Sequence, residues 1–222
     1  MDHRPFLRAL QDFNDFLRAQ KGAYGDACAG YRRNEIRIRR QTARVLEGKR
    51  TTGEDGRDCI VATSVEDPAS PDVIVETIRL SREYLDANSR AGTNEQQMGR
   101  ALIVFIYTFW EVVVRHRCAD ALGIRAGDLK LPIAGDLRRL RHSILHERAI
   151  LNRRDHKKLE VLADLFEPDA ELSLPHATMR EIFRRLDQRL AVFSLETIGA
   201  LPLPPPAGRV VSRRVQALPD SN

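Results

Sequence analysis

The sequence predicts an all-α protein, a bundle of about six helices. Apolar residues recur at the three- and four-residue spacing that places them on one side of a helix, and glycine or proline separates most of these segments. Strand-like character is confined to residues 59–62, enough for one short strand at most. With 222 residues, 42% of them hydrophobic and 30% charged, the chain is expected to form one domain with an ordinary core.

Three of the predicted helices lie in the first 88 residues. The first covers residues 5–21, and the second covers about 26–46 after a glycine-containing break. Residues 49–71 are polar and predict a long loop. A proline at the end of this loop opens the third helix, which is predicted over residues 72–88.

Three further helices follow. Thr93 and Gln96 form a candidate capping box for a helix that continues through residues 101–110 to Leu122. The last two long helices are predicted at 133–152 and 177–198, with a short helical turn at 157–166 between them. Residues 201–222 are rich in proline and predict an extended or disordered tail.

Positive charge is concentrated in two stretches of a chain with a formal net charge of +5. Eight lysines and arginines in residues 31–50 stand against two glutamates, and eight in residues 132–158 stand against three acidic residues. Each stretch either binds phosphate groups or is a solvated helix face, and the sequence leaves both interpretations open.

Cysteine usage and hydropathy bear on the compartment. Cys28, Cys59 and Cys118 form no Cys-x-x-Cys pair, so neither a disulfide framework nor a cysteine zinc site is predicted, and a reducing compartment is favoured. The N-terminus lacks the apolar stretch of a signal peptide, and residues 101–110 fall short of the about 20 residues of a membrane-spanning helix. The prediction is a cytoplasmic protein without a membrane partner or a cofactor.

The segment at 133–152 carries the candidate chemistry. On a helix of 100° per residue, its core side is formed by Leu137, Leu140 and Ile144. The opposite side is shared by His142, His146, Arg138 and Arg139, and Arg141 lies on the flank. Imidazoles can transfer protons near neutral pH and guanidinium groups can hold phosphate oxygens, so this face suits phosphate chemistry. The alternative is a basic face that meets only water.

A zinc site is a weaker alternative for the same two histidines. His142 and His146 are four residues apart, a spacing that can hold zinc. The segment is not His-Glu-x-x-His, however, and no third ligand is evident in the sequence. No metal site is therefore predicted.

The run Arg141-His142-Ser143-Ile144-Leu145-His146 resembles the Arg-x(4–6)-His motif of HEPN domains, in which a polar residue commonly follows the arginine. Its context is similar to that of uncharacterised bacterial HEPN-like proteins: an apolar helix carrying Trp110-Glu111 precedes a short connection, and Gly135-Asp136-Leu137-Arg138 leads into the motif. The resemblance covers about residues 72–198. It implies an antiparallel bundle at 72–200, with residues 1–50 as an added N-terminal helical segment.

The resemblance also implies an activity. Many HEPN proteins are metal-independent ribonucleases of toxin–antitoxin or anti-phage defence systems, and they dimerise with two motifs facing one another across a cleft. Here His146 would be the acid/base residue, Arg141 the phosphate binder, and His142 the polar residue that shapes the site. The 2′-hydroxyl of the RNA would attack, leaving a 2′,3′-cyclic phosphate. The expected partners are RNA, a second copy of the chain and a cognate antitoxin protein.

Further residues take supporting roles in this hypothesis. Glu111 is expected to orient Arg141 or a histidine, and Arg138, Arg139 and Arg148 are expected to contact RNA. Arg148 occupies the position at which one toxin subfamily has a tyrosine that its antitoxin modifies, which argues against that form of control. Two alternatives stay open: a non-catalytic RNA- or protein-binding module using the same basic cleft, and a helical interaction protein whose basic faces are only solvated.

Overall fold

The computed structural model describes residues 3–47, 60–67 and 70–199. Most of these residues are helical and the strands form only two two-stranded ladders, so the predicted all-α class is confirmed. One apolar core takes side chains from the four longest helices. The predicted tail at 201–222 lies outside the described residues, and the HEPN-specific arrangement of the helices stays a prediction.

Helix α1 (Arg4–Glu47) is a single helix of 44 residues. Two helices separated by a break are predicted here, and that prediction is wrong. The three glycines at 22–30 would have nothing within 4 Å of an added Cβ, so each lies on an open face of the helix. Each glycine costs about 1 kcal/mol relative to alanine. That cost is offset because Phe13 and Leu17 before the glycines, and Tyr24 among them, are buried in the core.

A β-hairpin follows instead of the predicted loop and the start of the predicted third helix. Strand β1 (Ile60–Asp67) pairs antiparallel with β2 (Ser70–Leu80), with Ile60 opposite Leu80. The third helix is therefore only α2 (Ser81–Asn88). The loop predicted at 49–71 is wrong where β1 lies, while its first residues lie outside the described chain.

The composition of β2 explains the error. Its middle is a β-branched run, Val73-Ile74-Val75, followed by Thr77 and Ile78. Such side chains are restricted at χ1 and favour strands over helices. The apolar positions in this segment also suit one side of a helix, so their spacing alone does not distinguish the two structures.

The next helix is long and changes its winding midway. It comprises α3 (Thr93–Phe109), a π-helical turn (Trp110–Val114) and α4 (Arg115–Leu122), and it ends at Gly123, whose φ is +67°. By length and composition its 30 residues could cross a membrane. A core helix passes the same test, and the side chains of Ile103, Ile106 and Val114 are fully buried in the protein core.

The start of α3 is held differently from the predicted capping box. The N-cap residue is Gly92, and Thr93 is the first helical residue. The Glu95 carboxylate accepts hydrogen bonds from the backbone N–H groups of Ala91, at 3.1 Å, and His176. Gln96 accepts from the N–H of Leu174 at 2.6 Å. These two side chains therefore join α3 to the segment that precedes the last helix.

The candidate chemistry lies on α5 (Pro132–His146), which ends six residues before its predicted end. After it the chain turns through Arg148 and Ala149, both with positive φ, and the N–H of Ala149 donates to the carbonyl of Ser143 at 2.8 Å. This turn leaves His146 as the last residue of the helix.

The remaining elements follow α5 in the chain. They are β3 (Ile150–Leu151), α6 (Arg153–His156), a 3-10 turn (Ala163–Leu165), β4 (Ala170–Glu171) and α7 (His176–Ile198). Strands β3 and β4 pair antiparallel, and β3 and α7 pack against α5. The helical turn predicted at 157–166 is reduced to the 3-10 turn.

Asp136 fixes α5 against the chain that follows it. Its carboxylate is fully buried and accepts hydrogen bonds from three successive backbone N–H groups, those of Glu160, Val161 and Leu162, at 2.7–3.2 Å. Three donors on one carboxylate satisfy a charge that would otherwise be costly to bury. The acidic residue that leads into the motif is thus a structural anchor.

Candidate functional site

The core and exposed sides of α5 are those that the sequence predicts. Leu137 and Leu140 are buried, and Ile144 is half-buried against the core. Both histidines on the opposite side are exposed, and the flanking Arg141 is half-buried.

The two motif histidines form a pair at the C-terminal end of α5. The centroids of the His142 and His146 rings are 5.0 Å apart, and the rings are inclined by 42°. Nε2 of His142 lies 3.8 Å from Oε1 of Glu147. Two imidazoles at this separation can both reach one bound phosphodiester, because each lies on the same exposed end of the helix.

Arg141 is anchored on an aromatic ring. Its guanidinium carbon lies 5.8 Å from the centroid of the Tyr107 ring on α3, a cation–π contact. The Nε atom of Arg141 is buried and has no hydrogen-bond partner. An anion at the terminal nitrogens would give this guanidinium the acceptors that the protein does not supply.

A basic cleft of about 870 Å³ opens beside Arg141 and His142. It lies between α5, the π-helical turn and the chain after each of them. Seven cationic side chains line it, giving an excess of four positive charges over its three carboxylates; they are Arg115, Lys130, Arg138, Arg139, Arg141, Arg154 and Lys158. The carboxylates are Glu111, Asp155 and Glu160.

Several of these cations are free to meet a ligand. Arg115 pairs with Glu111, and Lys158 lies 3.9 Å from Asp155. In the described parts of the chain, no carboxylate pairs with Lys130, Arg138, Arg141 or Arg154. Unpaired cations in a concave site attract anions more strongly than the same groups on a convex surface.

Glu111 has a different partner from the one expected of it. Its carboxylate pairs with Arg115, with N–O distances of 2.8 and 3.0 Å, and its negative charge acts on Tyr107. Among the described residues, no hydrogen bond or ion pair joins it to Arg141, His142 or His146. Burial, and then the negative charge of Glu111, raise the pKa of Tyr107, so its hydroxyl stays protonated and can donate.

Not every predicted site residue reaches the cleft. Arg138, Arg139, Arg141 and His142 line it together with Glu111, whereas His146 and Arg148 do not. Arg139 lines the cleft, but its Nη1 already donates a hydrogen bond to the Gly135 carbonyl at 2.9 Å. Arg148 lies in the turn after α5 and is exposed.

Sequence reasoning missed Tyr107. It lines the cleft and touches Arg141, and it lies one helical turn before Glu111. The four-residue spacing between these two polar groups in an apolar helix is a signal that could have found it.

The described residues contain no group of three or more His, Cys, Asp or Glu side chains placed to hold a metal ion. No protein-family model, curated protein or solved structure matches the chain. The resemblance to HEPN domains therefore depends on the motif and its context alone.

Proposed function

We propose that the protein is a HEPN-type endoribonuclease that needs no metal ion and cuts RNA through attack of the 2′-hydroxyl. The observation that carries the proposal is the exposed pair of His142 and His146, with rings 5.0 Å apart, next to Arg141 at the edge of a basic cleft. The two imidazoles are thereby close together, and His142 shares the cleft with the phosphate binder Arg141.

Each group has a definite role in the proposed reaction. The cleft holds the RNA backbone, and Arg141 binds the non-bridging oxygens of the scissile phosphate. His146 removes the proton of the 2′-hydroxyl, whose oxygen attacks phosphorus while the bond from phosphorus to the 5′-oxygen breaks. A second imidazole gives a proton to that leaving oxygen. The products are a 2′,3′-cyclic phosphate and a free 5′-hydroxyl.

The second imidazole is supplied by a second copy in this proposal. A symmetric dimer around the C-terminal end of α5 would bring two His146 side chains close to one another. Leu145 and Ile150, which are 48% and 44% exposed, lie beside this end of the helix and can give the dimer apolar contacts. His142 shapes the site and orients the phosphate.

The proposal includes the toxin–antitoxin or anti-phage setting that the HEPN resemblance implies, in which the nuclease is held inactive until it is needed. The inhibitory partner would be an antitoxin protein that covers the basic cleft. A cytoplasmic location fits a ribonuclease that acts on cellular RNA.

The decisive experiment measures turnover of labelled RNA in excess EDTA. Wild-type protein should yield fragments that end in a 2′,3′-cyclic phosphate, identified by mass spectrometry. His146→Ala should be inactive, and the matched variant His116→Ala, which removes an exposed histidine of α4, should cut normally. A DNA strand of the same sequence should stay intact, since it lacks the 2′-hydroxyl.

A binding module without catalysis is the second candidate. The observation that favours it is that His146 lies outside the cleft while four unpaired cations line the cleft. This candidate predicts RNA binding that weakens with salt and no turnover in any buffer. Wild-type protein that binds RNA but leaves it intact would favour this candidate over the nuclease.

A further inference from the structure

The C-terminal part of α1 carries a row of exposed arginines that the cleft does not use. Arg33, Arg37 and Arg40 lie within about 60° of one another around the helix and span about 10 Å along it. All three are exposed, and none has a carboxylate partner in the described parts of the chain. We call these three residues the arginine row.

The arginine row is separate from the cleft. On α1, Phe13 packs against Trp110, a residue of the cleft, with ring centroids 5.5 Å apart. Arg33 follows Phe13 by 20 residues of unbroken helix, which places the row about 30 Å further along the axis. A ligand on the row therefore contacts a different part of the molecule.

The opposite side of this helical segment is already covered. Ile38 lies about 130° around the helix from the centre of the row and is 3% exposed. A helix that binds a lipid surface needs a free apolar side, and here the apolar residue on that side, Ile38, is buried. Ile36 is the exposed large apolar side chain in the described part of α1, which is too little to anchor a helix in lipid.

We infer that the arginine row binds the phosphate backbone of a nucleic acid without reading its bases. Three guanidinium groups over about 10 Å match about three phosphates, since one strand of a duplex carries a phosphate every 3.4 Å of its axis. Planar guanidinium groups bind phosphate oxygens in a bidentate manner. A straight row of arginines therefore matches the repeated phosphates of a backbone better than it matches one compact anion. The inference deepens the proposed function by adding a second contact for the RNA, but it does not require cutting.

The test measures binding of a fluorescent single strand of about 30 nucleotides, as RNA and as DNA of the same sequence, over a range of salt concentrations. The variant Arg33→Glu/Arg37→Glu/Arg40→Glu is compared with Arg8→Glu/Arg90→Glu/Arg189→Glu. The control changes three exposed arginines that are scattered over the molecule, so the two variants have the same net charge. Circular dichroism verifies that both are folded.

The row variant should lose about tenfold or more in affinity for both strands at low salt, and its salt slope should fall by about 2, because three single-strand phosphates each contribute about 0.7. The control should lose far less. Equal losses in the two variants would overturn the inference. The inference would also be overturned if the row variant bound both strands as wild type does but, in a parallel measurement, no longer bound phosphatidylserine vesicles.

The DNA arm separates this inference from the proposed function. DNA cannot be cut by 2′-hydroxyl attack, so its binding is independent of His146. If RNA is never cleaved but the row variant still loses DNA binding, the nuclease proposal fails and the second contact surface stands.

Discussion

The guanidinium of Arg141 lies over the ring of Tyr107, with 5.8 Å between its central carbon and the ring centroid. The two residues come from α5 and α3, so the contact connects the motif to the neighbouring helix. It holds the long side chain of Arg141 in one direction, which lowers the entropy that a phosphate contact must overcome.

Arg141→Ala should weaken both RNA binding and cleavage. In the proposed mechanism the substitution removes one phosphate contact, so the salt slope for a single strand should fall by about 0.7. Cleavage should fall further than affinity, because the guanidinium also offsets charge that grows in the transition state. Fluorescence titration and single-turnover cleavage measure the two effects. Arg180→Ala, an exposed arginine on α7, is the matched control, and an Arg141→Ala variant indistinguishable from it would contradict the assigned role.

His146→Ala should abolish cleavage while leaving affinity nearly unchanged. A positioned acid/base contributes about 10²–10⁴ in rate, whereas an imidazole outside the cleft adds little to binding. His142→Ala should have a smaller effect. Both variants should unfold at the same urea concentration as wild type, because both histidines are exposed. Leu140→Ala should instead lose about 2–5 kcal/mol of stability, since Leu140 is fully buried. If His146→Ala cuts RNA at the wild-type rate, His146 is not the acid/base residue.

Asp136→Asn should destabilise the protein by about 2–4 kcal/mol. The asparagine keeps one acceptor oxygen but places an amide donor towards backbone N–H groups that now donate to the carboxylate. Urea unfolding measures the loss. Asp128→Asn changes an exposed aspartate paired with Arg125, and it should change stability by less than about 1 kcal/mol. Equal stability of the two variants would show that the buried contacts contribute little.

Stability should fall at alkaline pH in a way that depends on Cys118. Burial raises the pKa of this thiol from 9.0 to about 12. The unfolded chain therefore releases the proton above pH 9 while the folded protein retains it, so stability is full below pH 9 and is lost as pH rises towards 12. Between about pH 7.5 and 10.5, wild type should lose about 2 kcal/mol more than Cys118→Ala. Cys28→Ala, which removes a half-buried thiol, should change this difference less. Parallel pH profiles for wild type and Cys118→Ala would contradict the expectation.

Leu145→Asp should disfavour the proposed dimer. Leu145 is exposed next to His146, so a charge there would be buried without a partner if two copies meet at this end of α5. Light scattering at micromolar concentration should find wild type as a dimer and Leu145→Asp as a monomer. Val192→Asp alters a comparably exposed apolar residue on α7 and should leave the dimer intact. Wild type that is monomeric in this concentration range would count against the two-histidine mechanism.

Local patterns in the sequence predicted α5 well and the hairpin poorly. The sides of α5 follow from spacing alone, because the residues that are buried on it repeat every three or four positions. The segment at 72–80 has a similar spacing, and its β-branched composition was the stronger signal. Spacing and composition conflicted there, and composition was correct.

Other features depend on residues that are distant in the sequence. Asp136 is buried because N–H groups 24–26 residues later turn towards it. No short pattern contains that information. The glycines of α1 also show that a local helix-weakening residue does not end a helix whose two halves are held by packing.

Because α1 is continuous, it sets the distance between the core around Phe13 and the arginine row. The 27 residues from Phe13 to Arg40 fix a separation of about 40 Å, and neither a hinge nor a loop interrupts it. The spacing between the two ends is therefore set by the number of residues in the helix. Inserting 18 residues, five whole turns, would lengthen the helix by about 27 Å without rotating the arginine row about its axis.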